Sequence, residues 1–169
     1  MSNDPNQDKA LFVTPPGSLA DKAKTDVGGL DEAEMLRRAE EAVTALKGEY
    51  PIWVEGHLAD LEKAYAGARA NPDEGDAHLE TVAQIAHDVK GEGTTYGYPL
   101  MTMLGDSLCG FTRGMIEGKT QRSDTHLDII GKHIEAMRVV IRDRIEGDGG
   151  ELGQTLLASL EQAVAKFSN

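Results

Sequence analysis

The sequence predicts an all-α fold, most simply an antiparallel four-helix bundle with an additional C-terminal helix. Apolar residues recur at steps of three and four from Leu30 onward, which is typical of helices that bury one face. No stretch alternates with a period of two over the length of a strand, and there is no internal repeat. With 169 residues, the chain has the usual size of one domain and is long enough to bury a core.

The first helix is predicted to start at a cap formed by Asp31, with Glu34 three residues later. Pro51 lacks an amide hydrogen and crowds the preceding turn, so it should kink or break this helix. Because the apolar register runs through Pro51 unchanged, one long kinked helix is favoured over two helices in a hairpin. The face expected to be buried contains Met35, Ala39, Ala42, Val43, Leu46, Tyr50, Trp53, Val54, His57, Leu58, Leu61, Ala64, Tyr65 and Ala68.

Four more helices follow along the chain. Asn71 and Pro72 mark the start of the second as its N-cap and first helical residue, and it should run to about Tyr96 and stop at Gly97. The later helices are predicted over about 100–117, from a Ser123 cap to the glycine cluster at 147–150, and over about 151–167. The last helix is expected to bury Leu152, Leu156, Leu160, Val164 and Phe167.

The N-terminal residues 1–28 differ in composition from the rest of the chain. They are rich in Asn, Pro, Gly, Lys and Asp, with only Leu11-Phe12-Val13 as an apolar island. This composition predicts a flexible N-terminal arm, and a solvated terminus is favoured over a docking peptide. The helical domain is assigned to 29–169.

Charge and composition exclude several classes of function. The chain carries 17 Lys and Arg against 29 Asp and Glu, so its formal net charge is −12. Because such a surface repels phosphate backbones and anionic lipid, neither nucleic acid nor membrane is an expected partner. The sequence shows neither a spanning apolar run nor a signal peptide at MSNDPNQDKA, which favours a cytoplasmic protein. Cys109, the one cysteine, excludes an internal disulfide and is expected to be a buried, inert thiol.

The most informative stretch surrounds His87 on the second helix. On a helical wheel, the apolar residues of this helix share one arc and His87 lies well outside it, on the solvent face. Its neighbours on that face are Glu80, Gln84, Lys90, Gly91 and Thr94. Each glycine inside a helix costs about 1 kcal/mol relative to alanine. Gly93 is interpreted as a packing glycine, whereas Gly91 bares the backbone one turn from His87, which helps only if a large partner approaches there.

An exposed histidine with a lysine three residues later is suited to accepting a phosphoryl group. Neutral imidazole is a usable nucleophile near neutral pH, because its ordinary pKa is about 6.5. The ammonium of Lys90 supplies a point charge for the incoming phosphoryl group. Phosphoryl transfer requires positioning and charge neutralisation above all, so the pair suffices if a partner supplies the metal.

The pattern His87-x-x-Lys90-Gly91-x-Gly93-x-x-x-Gly97 resembles the signature of histidine-containing phosphotransfer (Hpt) domains, the relay modules of two-component signalling. The resemblance implies a four-helix bundle and makes His87 the phosphorylated nucleophile, steadied by Lys90. It also implies that Gln84, Gly91 and Thr94 lie where a receiver domain docks.

The resemblance implies receiver domains of response regulators as partners, which bind magnesium in their own pocket, and a hybrid histidine kinase is a further candidate. No glycine-rich nucleotide-binding motif is present, so no ATP-dependent kinase activity is expected. A lone exposed site suits a monomer, and no cofactor or metal is expected on this chain. Family members often carry a ring-orienting Glu or Gln where this chain has Cys109, so Asp106, Gln84 or water is left for that role.

Two alternatives complete the interpretation of the sequence. A helical adaptor that binds a protein partner, with His87 and Lys90 never phosphorylated, remains the second functional hypothesis. The other histidines are interpreted as surface or boundary residues, because the chain has neither an HExxH motif nor paired Glu-x-x-His motifs. These four residues are His57, His78, His126 and His133.

Overall fold

The computed structural model describes residues 31–71 and 75–168, and every regular element in these ranges is an α-helix. The five helices are α1 (Glu32–Ala70), α2 (Gly75–Gly93), α3 (Pro99–Ile116), α4 (Asp124–Arg142) and α5 (Gly150–Phe167). The prediction of an all-α protein is therefore confirmed for this part of the chain. The predicted arm at 1–28 and the helix start at Pro72 lie outside the described residues.

Helix α1 is one continuous helix with Pro51 inside it, so the prediction that Pro51 does not divide it is confirmed. The predicted cap at Asp31 is also confirmed, because its carboxylate accepts a hydrogen bond from the amide of Ala33 at 3.0 Å. Glu34 instead accepts hydrogen bonds from Arg37 and Arg38, one turn later on the same helix.

The prediction of one buried face along all of α1 is wrong for its first half. Met35, Val43 and Leu46 are 37%, 49% and 43% exposed, and the described residues before Tyr50 are exposed or partly so. From Tyr50 onward most of the expected face is buried, but His57 and Tyr65 are only partly buried and Trp53 is 44% exposed. The periodicity records which side of a helix is apolar, but it does not record whether another element covers that side. The buried residues of α1 are Tyr50, Pro51, Val54, Leu58, Leu61, Ala64 and Ala68.

Side-chain contacts show that α1 runs antiparallel to both α2 and α4. Towards α2, His57 Nδ1 lies 3.6 Å from a carboxylate oxygen of Glu92, and Gly67 lies against the ring of His78. Towards α4, Arg138 forms ion pairs with Glu55 and Glu62, while Arg69 pairs with Asp128. In both sets, the residue number falls on one helix as it rises on the other.

The turn between α2 and α3 is tied to the loop between α4 and α5. Helix α2 ends at Gly93, three residues before the predicted end, and Gly97 adopts the left-handed conformation with φ of 89°. The amide of Gly147 donates to the carbonyl of Gly97 at 2.9 Å, and the amide of Leu100 donates to the carbonyl of Gly147 at 3.3 Å. Backbone hydrogen bonds therefore join two loops that are distant in sequence.

Two of the four histidines interpreted as surface or boundary residues are buried, so that prediction is wrong for His126 and His133. His126 is 6% exposed and His133 is fully buried. The ring of His126 accepts a hydrogen bond from the hydroxyl of Ser123 and donates one to the carbonyl of Phe167, at 2.6 and 2.8 Å. Ser123 is the N-cap residue of α4, as predicted, but its hydroxyl contacts this ring instead of a helix amide. His126 thus fixes the end of α5 to the start of α4.

Other expectations for burial have mixed outcomes. The thiol of Cys109 is buried, as predicted. Leu152 is 66% exposed, so its assignment to the core is wrong, whereas Leu157 and Leu160 of α5 are buried. No helix in the described ranges combines the length and the apolar character needed to cross a membrane.

Candidate functional site

His87 lies on the exposed face of α2, as the helical wheel predicts. Its neighbours Ala86 and Val89 are fully buried, and so is Val82, about one and a half turns earlier. Within the described residues, no hydrogen bond or ion pair engages the imidazole of His87. An exposed imidazole with no protein partner among the described residues is accessible for chemistry at its ring nitrogens.

Lys90 lies one turn after His87 and forms an ion pair across to α3. Its Nζ donates to Oδ1 of Asp106 at 2.6 Å, and the two side chains are 42% and 65% exposed. The structure thus brings together two residues that the sequence analysis assigned to separate roles. The carboxylate of Asp106 contacts the lysine, and no hydrogen bond from Asp106 to His87 occurs among the described residues.

The three residues assigned to partner docking differ in how firmly they are held. Gln84 donates to Oδ1 of Asp88 at 3.1 Å, within α2. The amide and hydroxyl of Thr94 both donate to the hydroxyl oxygen of Thr102, at 2.8 and 2.9 Å. Gly91 faces open space, because a Cβ built there meets no atom within 4 Å. Bare backbone is therefore accessible one turn from His87.

Two glycines allow α2 and α3 to approach closely beneath this face. A Cβ on Gly93 would lie 2.7 Å from the backbone nitrogen of Thr102, which confirms its predicted role in packing. A Cβ on Gly105 would lie 2.8 Å from both the carbonyl oxygen of Ala86 and the nitrogen of Lys90. The backbone of α3 therefore packs directly against the turn that carries His87.

Gly105 was missed by sequence reasoning, although a signal was present. Gly105 lies inside a predicted helix, next to the apolar position Leu104, where glycine costs about 1 kcal/mol relative to alanine. A glycine retained at that cost, on the core side of a helix, indicates close contact with a neighbouring backbone.

An aromatic cluster holds the end of α2 against α1. The ring of Tyr96 stacks on Tyr50 with 5.1 Å between centroids, and Trp53 packs edge-on against Tyr96 at 5.6 Å. Tyr50 is fully buried, and its hydroxyl has no hydrogen-bond partner in the part of the chain that the structure describes. Burial raises the pKa of Tyr50 above its ordinary value of 10.0, so the hydroxyl stays protonated. The cluster therefore packs the segment after α2 against α1.

Apart from the face around His87, polar side chains also line an open cavity of about 310 Å³ between α1 and α2: Asp60, Lys63, His78 and Thr81. Among residues 31–71 and 75–168, no group of three or more His, Cys, Asp and Glu side chains is placed to hold a metal ion. An open apolar cavity of about 450 Å³ lies between α4 and α5, and none of its lining residues belongs to α2. Its walls include Ile129, Ala136, Val139, Leu156 and Leu160.

Comparisons with known proteins give no match: no family model, no curated protein and no solved structure matches the chain.

Proposed function

We propose that this chain is a histidine phosphotransfer protein of a two-component phosphorelay. His87 accepts a phosphoryl group from the aspartate of one receiver domain and passes it to another. The observation that carries the proposal is an exposed imidazole on α2, unpaired within residues 31–71 and 75–168, with an ammonium group one turn away and bare backbone at Gly91. The antiparallel contacts among α1 to α4 support a four-helix bundle, to which α5 is added.

The transfer step requires one nucleophilic nitrogen on this chain. The lone pair of that nitrogen forms the P–N bond as the P–O bond of the aspartyl phosphate breaks, and the receiver's aspartate leaves as a carboxylate. The ring then releases the proton from its other nitrogen to water. His87 suits this step because its exposed ring needs no rearrangement before attack. The reverse sequence delivers the phosphoryl group to the next receiver.

The remaining groups assist the transfer without bonding to phosphorus. Lys90 lies on the same helix three residues later, so its ammonium can donate to the phosphoryl oxygens. The receiver would supply the magnesium ion that neutralises the charge in the transition state. Gln84, Gly91 and Thr94 line the exposed face that the receiver would cover, and the missing side chain at Gly91 admits its surface.

The test is the intact mass of the protein after mixing with a magnesium-loaded, phosphorylated receiver domain from the same genome. The sample stays at neutral to mildly alkaline pH, because phosphohistidine is labile in acid. We expect one added phosphoryl group on the wild type and none on His87→Gln. The matched control is His57→Gln on α1, whose side chain is 33% exposed, and it should gain the group normally.

Two outcomes would overturn the proposal. A full mass gain in His87→Gln would place the nucleophile elsewhere. No mass gain in the wild type with any receiver would favour the adaptor hypothesis, in which a partner binds this face without chemistry.

A further inference from the structure

The ion pair between Lys90 and Asp106 lies beside the proposed nucleophile, and it has a consequence for phosphoryl transfer. Lys90 supplies a positive charge to that site, but in the structure its Nζ already donates to Asp106 at 2.6 Å. Asp106 therefore neutralises the charge that a phosphoryl group on His87 would use.

We propose that Asp106 is a positioning residue that competes with the phosphoryl group for the ammonium of Lys90, and so keeps the phosphohistidine only weakly stabilised. This role rests on the proposed function of His87 as a phosphoryl carrier. A carrier must release what it accepts, so a partly neutralised lysine suits a residue that passes the group on. Asp106 acts on the phosphoryl group through Lys90, and it does not take part in bond making.

The packing beneath the pair fixes Asp106 within reach of Lys90. Gly105 sits against the carbonyl of Ala86 and the nitrogen of Lys90, so the α3 backbone is registered on this turn of α2. Asp106 is the next residue, and it faces solvent with its carboxylate against the ammonium. Backbone packing between α2 and α3 therefore holds Lys90 and Asp106 close together, in addition to the attraction between their charges.

The ion pair between Lys90 and Asp106 is weak, because both side chains are substantially exposed. Lys90 is 42% and Asp106 is 65% exposed, and pairs of this kind typically alter an equilibrium by about two- to fivefold. A phosphoryl group carries between one and two negative charges more than a neutral imidazole. The ammonium of Lys90 should therefore move from the single charge of Asp106 to the phosphoryl group. The free energy needed to break the ion pair with Asp106 slightly reduces the stability of the phosphohistidine.

The experiment measures the equilibrium constant for transfer from a phosphorylated receiver to His87, in the full chain. Asp106→Asn preserves the shape of the side chain and removes its charge. We expect the equilibrium to shift about threefold towards phospho-His87, with less shift at high salt. Asp106→Glu restores a carboxylate and should return the constant towards the wild-type value.

Two control variants test whether the effect depends on this pair and acts through Lys90. Glu135→Gln removes one negative charge from a similar exposed pair, because Glu135 accepts from Lys132 at 2.7 Å and is 64% exposed. This variant should leave the equilibrium constant for transfer unchanged. In a Lys90→Ala background, most of the effect of Asp106→Asn should vanish, since the competition no longer exists.

Each outcome decides for or against the role of Asp106. A shift away from phospho-His87 in Asp106→Asn would identify Asp106 as a residue that orients the ring and would overturn the inference. An unchanged constant, or a full effect that persists in Lys90→Ala, would also overturn it. The proposed function fails separately, by the absence of any phosphoryl group on His87.

Discussion

His87 and His133 occupy opposite environments on neighbouring parts of the fold, and the contrast shows how burial divides one residue type between two roles. His87 is exposed and has no hydrogen-bond partner among the described residues. His133 is fully buried on α4, where it donates from Nδ1 to the carbonyl of Ile129 at 2.8 Å. Its Nε2 accepts from the hydroxyl of Ser107 at 2.9 Å. One imidazole is available for chemistry, and the other is committed to structure.

The two regions also differ in what their neighbours provide. Ser107, which bonds to His133, follows Asp106 directly on α3. The outward side of α3 therefore contacts Lys90 beside His87 through Asp106, while its inward side contacts α4 through Ser107. Because one helix serves both, substitutions on its two sides should separate function from stability.

The largest expected effect is on the buried histidine. His133→Ala leaves a cavity and an unpaired hydroxyl on Ser107, so it should lower the free energy of unfolding by about 2–4 kcal/mol near neutral pH. His87→Ala should change the free energy of unfolding by less than about 0.5 kcal/mol, since that side chain is exposed. Urea denaturation of both variants checks the comparison.

The same experiment at lower pH tests the cause. Burial lowers the pKa of His133 below its ordinary value of 6.5. As the pH falls below 6.5, the unfolded chain binds a proton at this histidine that the folded chain does not, so the wild type loses stability. His133→Ala lacks this contribution, and its deficit relative to the wild type should shrink between about pH 7.5 and pH 5.5. A deficit that does not depend on pH would contradict the assigned burial.

The next effect concerns Gly105, beneath the exposed site. Gly105→Ala places a methyl group 2.8 Å from the backbone of Ala86 and Lys90, so the helices must separate. We expect a loss of about 1–3 kcal/mol in the free energy of unfolding. Gly110→Ala is the matched control on the same helix: a Cβ there meets no atom within 4 Å, and the change should stabilise by about 0.5–1 kcal/mol. Equal effects at the two positions would mean that α2 and α3 do not pack as described.

The smallest effect on the fold, and the sharpest on function, is expected at Gly91. Gly91→Leu adds a side chain where the space is open, so stability should hold or rise slightly. If a receiver covers this face, the added side chain should slow phosphoryl transfer to His87 by at least about tenfold. Gly56→Leu, on an exposed and equally open position of α1, should leave the rate unchanged. Equal rates in the Gly91 variant and the wild type would mean that the receiver docks elsewhere.

The sequence predicts most of the helices well, because their ends carry strong local signals. Glycine and proline residues between α2 and α3 and around 147–150 mark breaks that depend on backbone sterics alone. The exact ends are less well predicted: α4 ends at Arg142, before the glycines at 147–150 that were expected to stop it. The outward position of His87 was likewise predictable, since it needs only the apolar arc of its own helix.

What could not be predicted depends on contacts between helices. The pairing of Lys90 with Asp106 and the close approach at Gly105 require the register of α2 on α3, which one sequence does not state. Burial of His133 was missed because a histidine counts as polar until its two partners are known. The exposed first half of α1 was missed for the converse reason, since an apolar stripe does not reveal whether anything lies against it.

The backbone bonds among Gly97, Leu100 and Gly147 have a consequence for local unfolding. A hydrogen-bonded amide exchanges its hydrogen with solvent only when its bond opens. The amide of Gly147 donates to the carbonyl of Gly97, and its carbonyl accepts from the amide of Leu100. A displacement of Gly147 therefore breaks both hydrogen bonds. We therefore expect the amides of Leu100 and Gly147 to exchange together, so that the loop after the His87 helix and the loop before α5 open in one local event.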